Sequence, residues 1–205
     1  VATLTTLVMG NLSDRFGRRK IFISGGYLLW GISIILFGMI SLENAARLFP
    51  AANAAITAAV LIIILDCIMT FFGSTANDAA FNAYVTDQTV PENRGKVESV
   101  LAILPPLSML IVFGALDPFV QNGQWRLFFN IVGGLVILVG IGSFIVIDDS
   151  GFERKETPFF ASLVYGFTPT AVRNHVKLYW TMGAFCLFNI AVQIFFPYLI
   201  IYFSY

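Results

Sequence analysis

The chain reads as long apolar runs separated by short charged segments. A helix that crosses a bilayer core needs about 20 largely apolar residues. Five stretches meet that need, at about 21–42, 52–72, 97–116, 127–147 and 178–203. The first and fourth carry no charge, and the second holds one internal acid, Asp66. Residues 1–10 are also apolar and run straight into a charged segment, as the end of a further span would. No basic leader with a cleavage pattern precedes them. With apolar sequence at both ends, the chain reads as an excerpt from a longer membrane protein. The pattern predicts an all-α, polytopic transmembrane bundle.

The connections fall into two kinds. Segments 10–20, 87–96 and 148–177 are charged, whereas 43–50 and 117–126 are short and lightly charged. Five alternating helices place the first kind on one side of the membrane and the second on the other. Ten of the basic residues then lie on the first side, and only Arg47 and Arg126 on the second. By the positive-inside rule the first side is cytoplasmic. Asp87, at that interface, is expected to pair with Arg94.

Small residues mark two of the spans. Ser24, Gly31 and Gly38 recur every seven residues, and so do Gly133 and Gly140. Such stripes let helix backbones approach closely in lipid. Leu104-Pro105-Pro106 predicts a kink, because proline lacks a backbone donor and crowds the preceding turn. Residues 153–177 are too polar to span. Within them, 158–164 reads as a short interfacial helix, with Phe159, Leu163 and Phe167 at helical spacing. The expected organisation is a bundle over 1–147, a linker over 148–177, and the first helix of a second bundle over 178–205.

Composition agrees with the pattern. Hydrophobic residues make up 58% and charged residues 12%, against about 25% charged in soluble domains. Mean hydropathy is +0.82. Twelve bases balance twelve acids, so the basic surplus of a nucleic-acid binder is missing. Cys67 and Cys186 both sit in apolar runs and define no disulfide framework. An integral-membrane enzyme would need a base, nucleophile or metal cluster at the interface. The single histidine, His175, has no acid cluster near it in sequence, and no metal-ligand spacing occurs. No phosphate-loop motif is present either. No cofactor is expected.

The segment Gly10-Asn11-Leu12-Ser13-Asp14-Arg15-Phe16-Gly17-Arg18-Arg19-Lys20 holds two glycines and an acid among four bases. Gly10 would let a helix end close against a neighbour, and Gly17 supplies the φ freedom of a tight reversal. This string resembles the signature of the major facilitator superfamily, the loop between its second and third helices. The resemblance implies a twelve-helix carrier of two six-helix halves, of which this chain covers the end of helix 2 through helix 7. Helix 1 and helices 8–12 of its own chain would then be partners, with membrane lipid. It also implies that Asp14, Arg15 and Arg18 are gate residues at the cytoplasmic face, with Gly10 and Gly17 allowing close packing.

The polar end of the second span is the other chemical signal. At 100° per residue, Thr75, Asp78 and Asn82 form one stripe, and Asp66, Thr70 and Asn77 a second. Lipid cannot satisfy such a surface, so it should face the bundle interior or a wet cavity. An acid held there needs a cation or a proton to compensate it. The segment is similar to helix 4 of the glycoside–pentoside–hexuronide:cation symporters. Carried over, Thr75 and Asp78 would present oxygens to a coupling Na⁺. Asn82 departs from that pattern, since the melibiose transporters have an aromatic there. On the last span, Asn189 and Gln193 lie at i, i+4 and could line a solute cavity. The expected function is secondary active transport of a small polar solute, a sugar among the candidates, by alternating access, coupled to a Na⁺ or H⁺ gradient. The alternatives are a drug/proton antiporter of the same superfamily and a non-transporting membrane receptor.

Overall fold

The computed structural model of the chain describes residues 1–50, 52–149, 165–166 and 168–204. Among them every regular element is helical. In chain order these are α1 (Ala2–Phe16), α2 (Arg19–Phe37), α3 (Leu42–Leu48) and α4 (Ala54–Gly73), then a π-helical segment, Ser74–Phe81. There follow α5 (Asn82–Gln88), α6 (Pro91–Gln121), α7 (Trp125–Val146), α8 (Pro169–Asn174) and α9 (Val176–Ser204). The chain divides into two compact units, Val1–Glu156 and Thr157–Tyr205. The division falls inside the segment 148–177. The interfacial helix expected at 158–164 lies outside the described residues, as do Phe167, Arg154 and Lys155.

Five helical stretches are long and apolar enough to cross a membrane: Arg19–Phe37, Ala54–Gln88, Pro91–Gln121, Trp125–Val146 and Val176–Phe195. Their boundaries differ from the sequence reading where polar residues close the backbone. The first span stops at Phe37 rather than 42, because the Ser41 side chain accepts the Asn44 N–H at 3.1 Å and starts α3. A hydroxyl at that position satisfies one of the free donors of a helix start. The connection 43–50 is therefore partly helical. The second span runs on to Gln88, a continuous 35 residues. That is about 50 Å at 1.5 Å per residue, well beyond a bilayer core of about 30 Å. The third begins at Pro91, where fixed φ suits the first helical position. It continues through Pro105, Pro106 and Pro118 to Gln121. Gly123, at φ 69°, then turns the chain into α7.

The two small-residue stripes turn out to be each other's partner. Ser143 Oγ donates to Ser24 Oγ at 2.7 Å. A Cβ placed on Gly31 would meet the Gly133 carbonyl oxygen at 2.7 Å, and one on Gly38 would meet Phe129 Cβ at 2.4 Å. Rising numbers on α2 thus meet falling numbers on α7, so the two helices pack antiparallel. At Gly31, Gly38 and Gly133 the neighbouring helix leaves no room for a side chain. α6, by contrast, contributes no buried residue.

α2, the π-helical segment, α5 and the end of α7 build a small core. Ile23, Ala80 and Ile147 are buried, with Phe22, Tyr27, Phe81 and Tyr84 packed around them. A Cβ on Gly26 would lie 2.8 Å from Ala76 Cβ, so α2 sits directly on the π-helical segment. Three charged connections also meet at one end of this unit. Arg19 reaches Asp87 at 2.7 Å, and the Lys20 N–H donates to Asp149 at 2.8 Å. This is the grouping that alternation of the spans requires.

Candidate functional site

Two polar clusters stand out. The first lies where α1 turns into α2. α1 does not end at Gly10; it continues to Phe16, because residues 10–16 keep a helical backbone. The reversal is confined to Gly17 and Arg18. Gly17 takes the left-handed conformation, φ 60° and ψ 25°, and donates its N–H to Ser13 O. A Cβ on Gly10 would make an ordinary 4.0 Å contact with Ala79 Cβ, so space alone does not require glycine there.

Arg19 is the centre of this cluster. Its side chain is only 7% exposed and pairs with Asp14 at 2.6 Å and Asp87 at 2.7 Å. It also donates to Ser13 Oγ at 3.3 Å. Asp87 therefore pairs with Arg19, not with Arg94 as its sequence proximity suggested. Arg94 turns instead to the carbonyl of Thr86, at 2.9 Å, and to Thr89 Oγ1. The reason is geometric: a planar guanidinium bridges two carboxylates from different helices, whereas Arg94, in the first turn of α6, reaches the carbonyls at the end of α5. Asp14 joins this cluster, whereas Arg15 and Arg18 are exposed and form no ion pair among the described residues. Sequence reasoning did not single out Arg19. Its signal was the middle base of the run Arg18-Arg19-Lys20, indistinguishable there from a topology charge.

The second cluster surrounds a cavity of about 240 Å³ between α2 and the long helix that carries Asp78. It is lined by Trp30, Met69, Thr70, Gly73, Ser74, Asn77 and Asp78. Tyr27 Oη donates to Asn77 Oδ1 at 3.1 Å, and Asn77 Nδ2 donates to Asp78 Oδ1 at 3.1 Å. One carboxylate oxygen is thereby oriented by a chain that begins on α2. The hydroxyls of Thr70 and Ser74 stand in the same lining. The cavity therefore offers a carboxylate and two hydroxyl oxygens, the donor types a hard cation takes. Among the described residues no group of three His, Cys, Asp or Glu side chains could hold a metal ion.

The site residues do not all meet here. Thr75 is 4% exposed and donates its hydroxyl to Phe71 O at 2.7 Å, away from the cavity. Asn82 is exposed and donates to the Asp78 backbone carbonyl at 3.2 Å. Asp66 is exposed on α4, one turn before Thr70, and does not line the cavity. The lining positions 70, 73, 74, 77 and 78 share one helical face at i, i+3, i+4 spacing, and Thr75 lies off that face. Ser74 stands in the cavity where Thr75 was expected. Asn189 donates to its own Phe185 carbonyl at 2.8 Å, and Gln193 is exposed, both on α9 of the second unit.

Long apolar helices joined by charged turns make this an integral, multi-pass membrane protein. The chain belongs to the Major Facilitator Superfamily, whose family model matches residues 1–205. It is accordingly a secondary transporter and not an enzyme. No curated protein and no solved structure matches the chain.

Proposed function

We propose that the protein is a cation-coupled symporter of a small polar solute, a sugar being the favoured class. The single observation that carries this reading is the cavity in which Asp78 stands with Asn77, Thr70 and Ser74. A carboxylate in the span of a membrane protein is costly unless its charge is compensated. Na⁺ or H⁺ supplies that compensation, and the loaded carrier then crosses between inward- and outward-facing states. The remaining lining is neutral hydrogen-bonding and aromatic surface, which suits a hydroxylated solute better than an anion. In this reading the Arg19 cluster lies at the cytoplasmic face and closes one state. In a carrier of two six-helix halves, further helices complete the path.

The test is uptake by the whole transporter in proteoliposomes. A panel of radiolabelled hexoses, pentoses and galactosides is offered under an imposed Na⁺ gradient, then an imposed proton gradient. Accumulation that needs one ion and disappears in Asp78→Asn supports the reading. Equal ion-driven accumulation by that variant removes Asp78 from coupling. Proton-driven expulsion of lipophilic dyes, with no sugar uptake, would identify an antiporter instead.

A further inference from the structure

Resting on the symport reading, we infer that Trp30 of α2 is a specificity-determining residue, its indole N–H donating to one hydroxyl oxygen of the solute. Trp30 lines the cavity that Asp78 lines. Its ring is held from two sides. A Cβ on Gly73 would stand 3.0 Å from Trp30 Cε2, so the ring occupies the space a larger residue would fill. Cε2 is the ring carbon bonded to the indole nitrogen. The next atoms, Cδ2 and Cζ2 at 3.3 Å, belong to the ring fusion and the six-membered ring, so Gly73, itself a wall of the cavity, packs against that part of the indole and not against its nitrogen. Tyr27 stacks on the same ring, with centroids 5.9 Å apart and planes at 28°. Tyr27 also orients Asn77, so the indole and the carboxylate are positioned by one side chain.

The hydrogen-bond inventory points to a ligand of defined chemistry. An indole N–H is a donor only. Among the described residues it has no acceptor and no buried polar atom is left unsatisfied, so the N–H is not sealed in the interior and is accessible to a ligand. The same lining holds acceptors, the Asp78 carboxylate and the Asn77 carbonyl, with the Thr70 and Ser74 hydroxyls able to play both parts. A sugar or polyol hydroxyl fits between them, taking a proton from Trp30 and giving its own to an oxygen on the facing helix. A solute without that hydroxyl leaves the indole N–H unpaired, and such a loss is the usual source of strong discrimination.

The experiment compares wild type with Trp30→Phe and Trp30→Ala in the same proteoliposomes. The panel holds sugars, polyols and the singly deoxy analogues of whichever solute is accumulated. Phe keeps an aromatic ring against Gly73 and Tyr27 but has no N–H. The expected result for Trp30→Phe is a KM raised about 3- to 10-fold. Wild-type preference for the parent over one deoxy analogue should vanish in that variant, and the ion concentration for half-maximal uptake should stay within about twofold. Trp30→Ala should lose more affinity, since it also empties the space at Gly73. An unchanged KM in Trp30→Phe, or an equal rise for parent and every analogue, overturns the inference and leaves the symport reading standing. If wild type accumulates neither sugars nor polyols, both fall together.

Discussion

Replacing Arg19 with Met should destabilise the protein more than removing either acid it holds. Its side chain is 7% exposed, whereas those of Asp14 and Asp87 are 28% and 33% exposed. Loss of the guanidinium leaves two carboxylates facing each other with their shared cation gone. Breaking a buried ion pair from one side costs about 3–5 kcal/mol. Asp87→Asn, by contrast, leaves Arg19 paired with Asp14 and bonded to Ser13. Its cost should be about 1–2 kcal/mol, since a charge-assisted hydrogen bond is lost at a site that water partly screens. Arg19→Lys should fall between the two, because a point charge cannot reproduce the fork that spans both carboxylates. Adding Asp14→Asn and Asp87→Asn to Arg19→Met should recover most of the loss, since no buried charge then lacks a partner. The assay is unfolding of the purified transporter in mild detergent, followed by tryptophan emission. An Arg19→Met variant no less stable than Asp87→Asn would refute the reasoning.

Two further predictions concern the same unit. Gly31→Ala would set a methyl 2.6 Å from Ile137 Cγ1 and 2.7 Å from the Gly133 carbonyl oxygen. Because one obstacle is backbone, α2 and α7 must separate, at about 1–3 kcal/mol. Gly134→Ala, which meets nothing within 4 Å, should be neutral, and equal unfolding curves for the two variants would contradict the seam. Asp14→Asn should lower ion-driven uptake while membrane insertion stays intact. Wild-type uptake rates in that variant would remove Asp14 from the gate.

Hydrophobic patterning alone was enough to define an all-α membrane protein, its five spans and the sorting of its charged connections. Spans are legible because lipid demands a long run of apolar residues whose backbone bonds close within the helix. The small-residue stripes were legible too, since a glycine repeated every seven positions has few uses besides close approach. Which stripe met which was not, because complementarity of two surfaces belongs to neither alone. The candidate site was only partly readable. Asp78 and Asn77 stood out as polar groups in an apolar helix, and they do share a cavity. Thr75 was assigned with Asp78 as an i, i+3 pair, but the face that lines the cavity is centred on Gly73, Asn77 and Thr70, and Thr75 lies off it. Which face meets α2 is decided by packing, where Ala76 meets Gly26 across the interface. Trp30 and Arg19 came from tertiary structure alone. An indole in an apolar run and a base in a basic run carry no mark of their own. Each acquires a role only from the helix packed against it, Trp30 from Gly73 and Arg19 from Asp87.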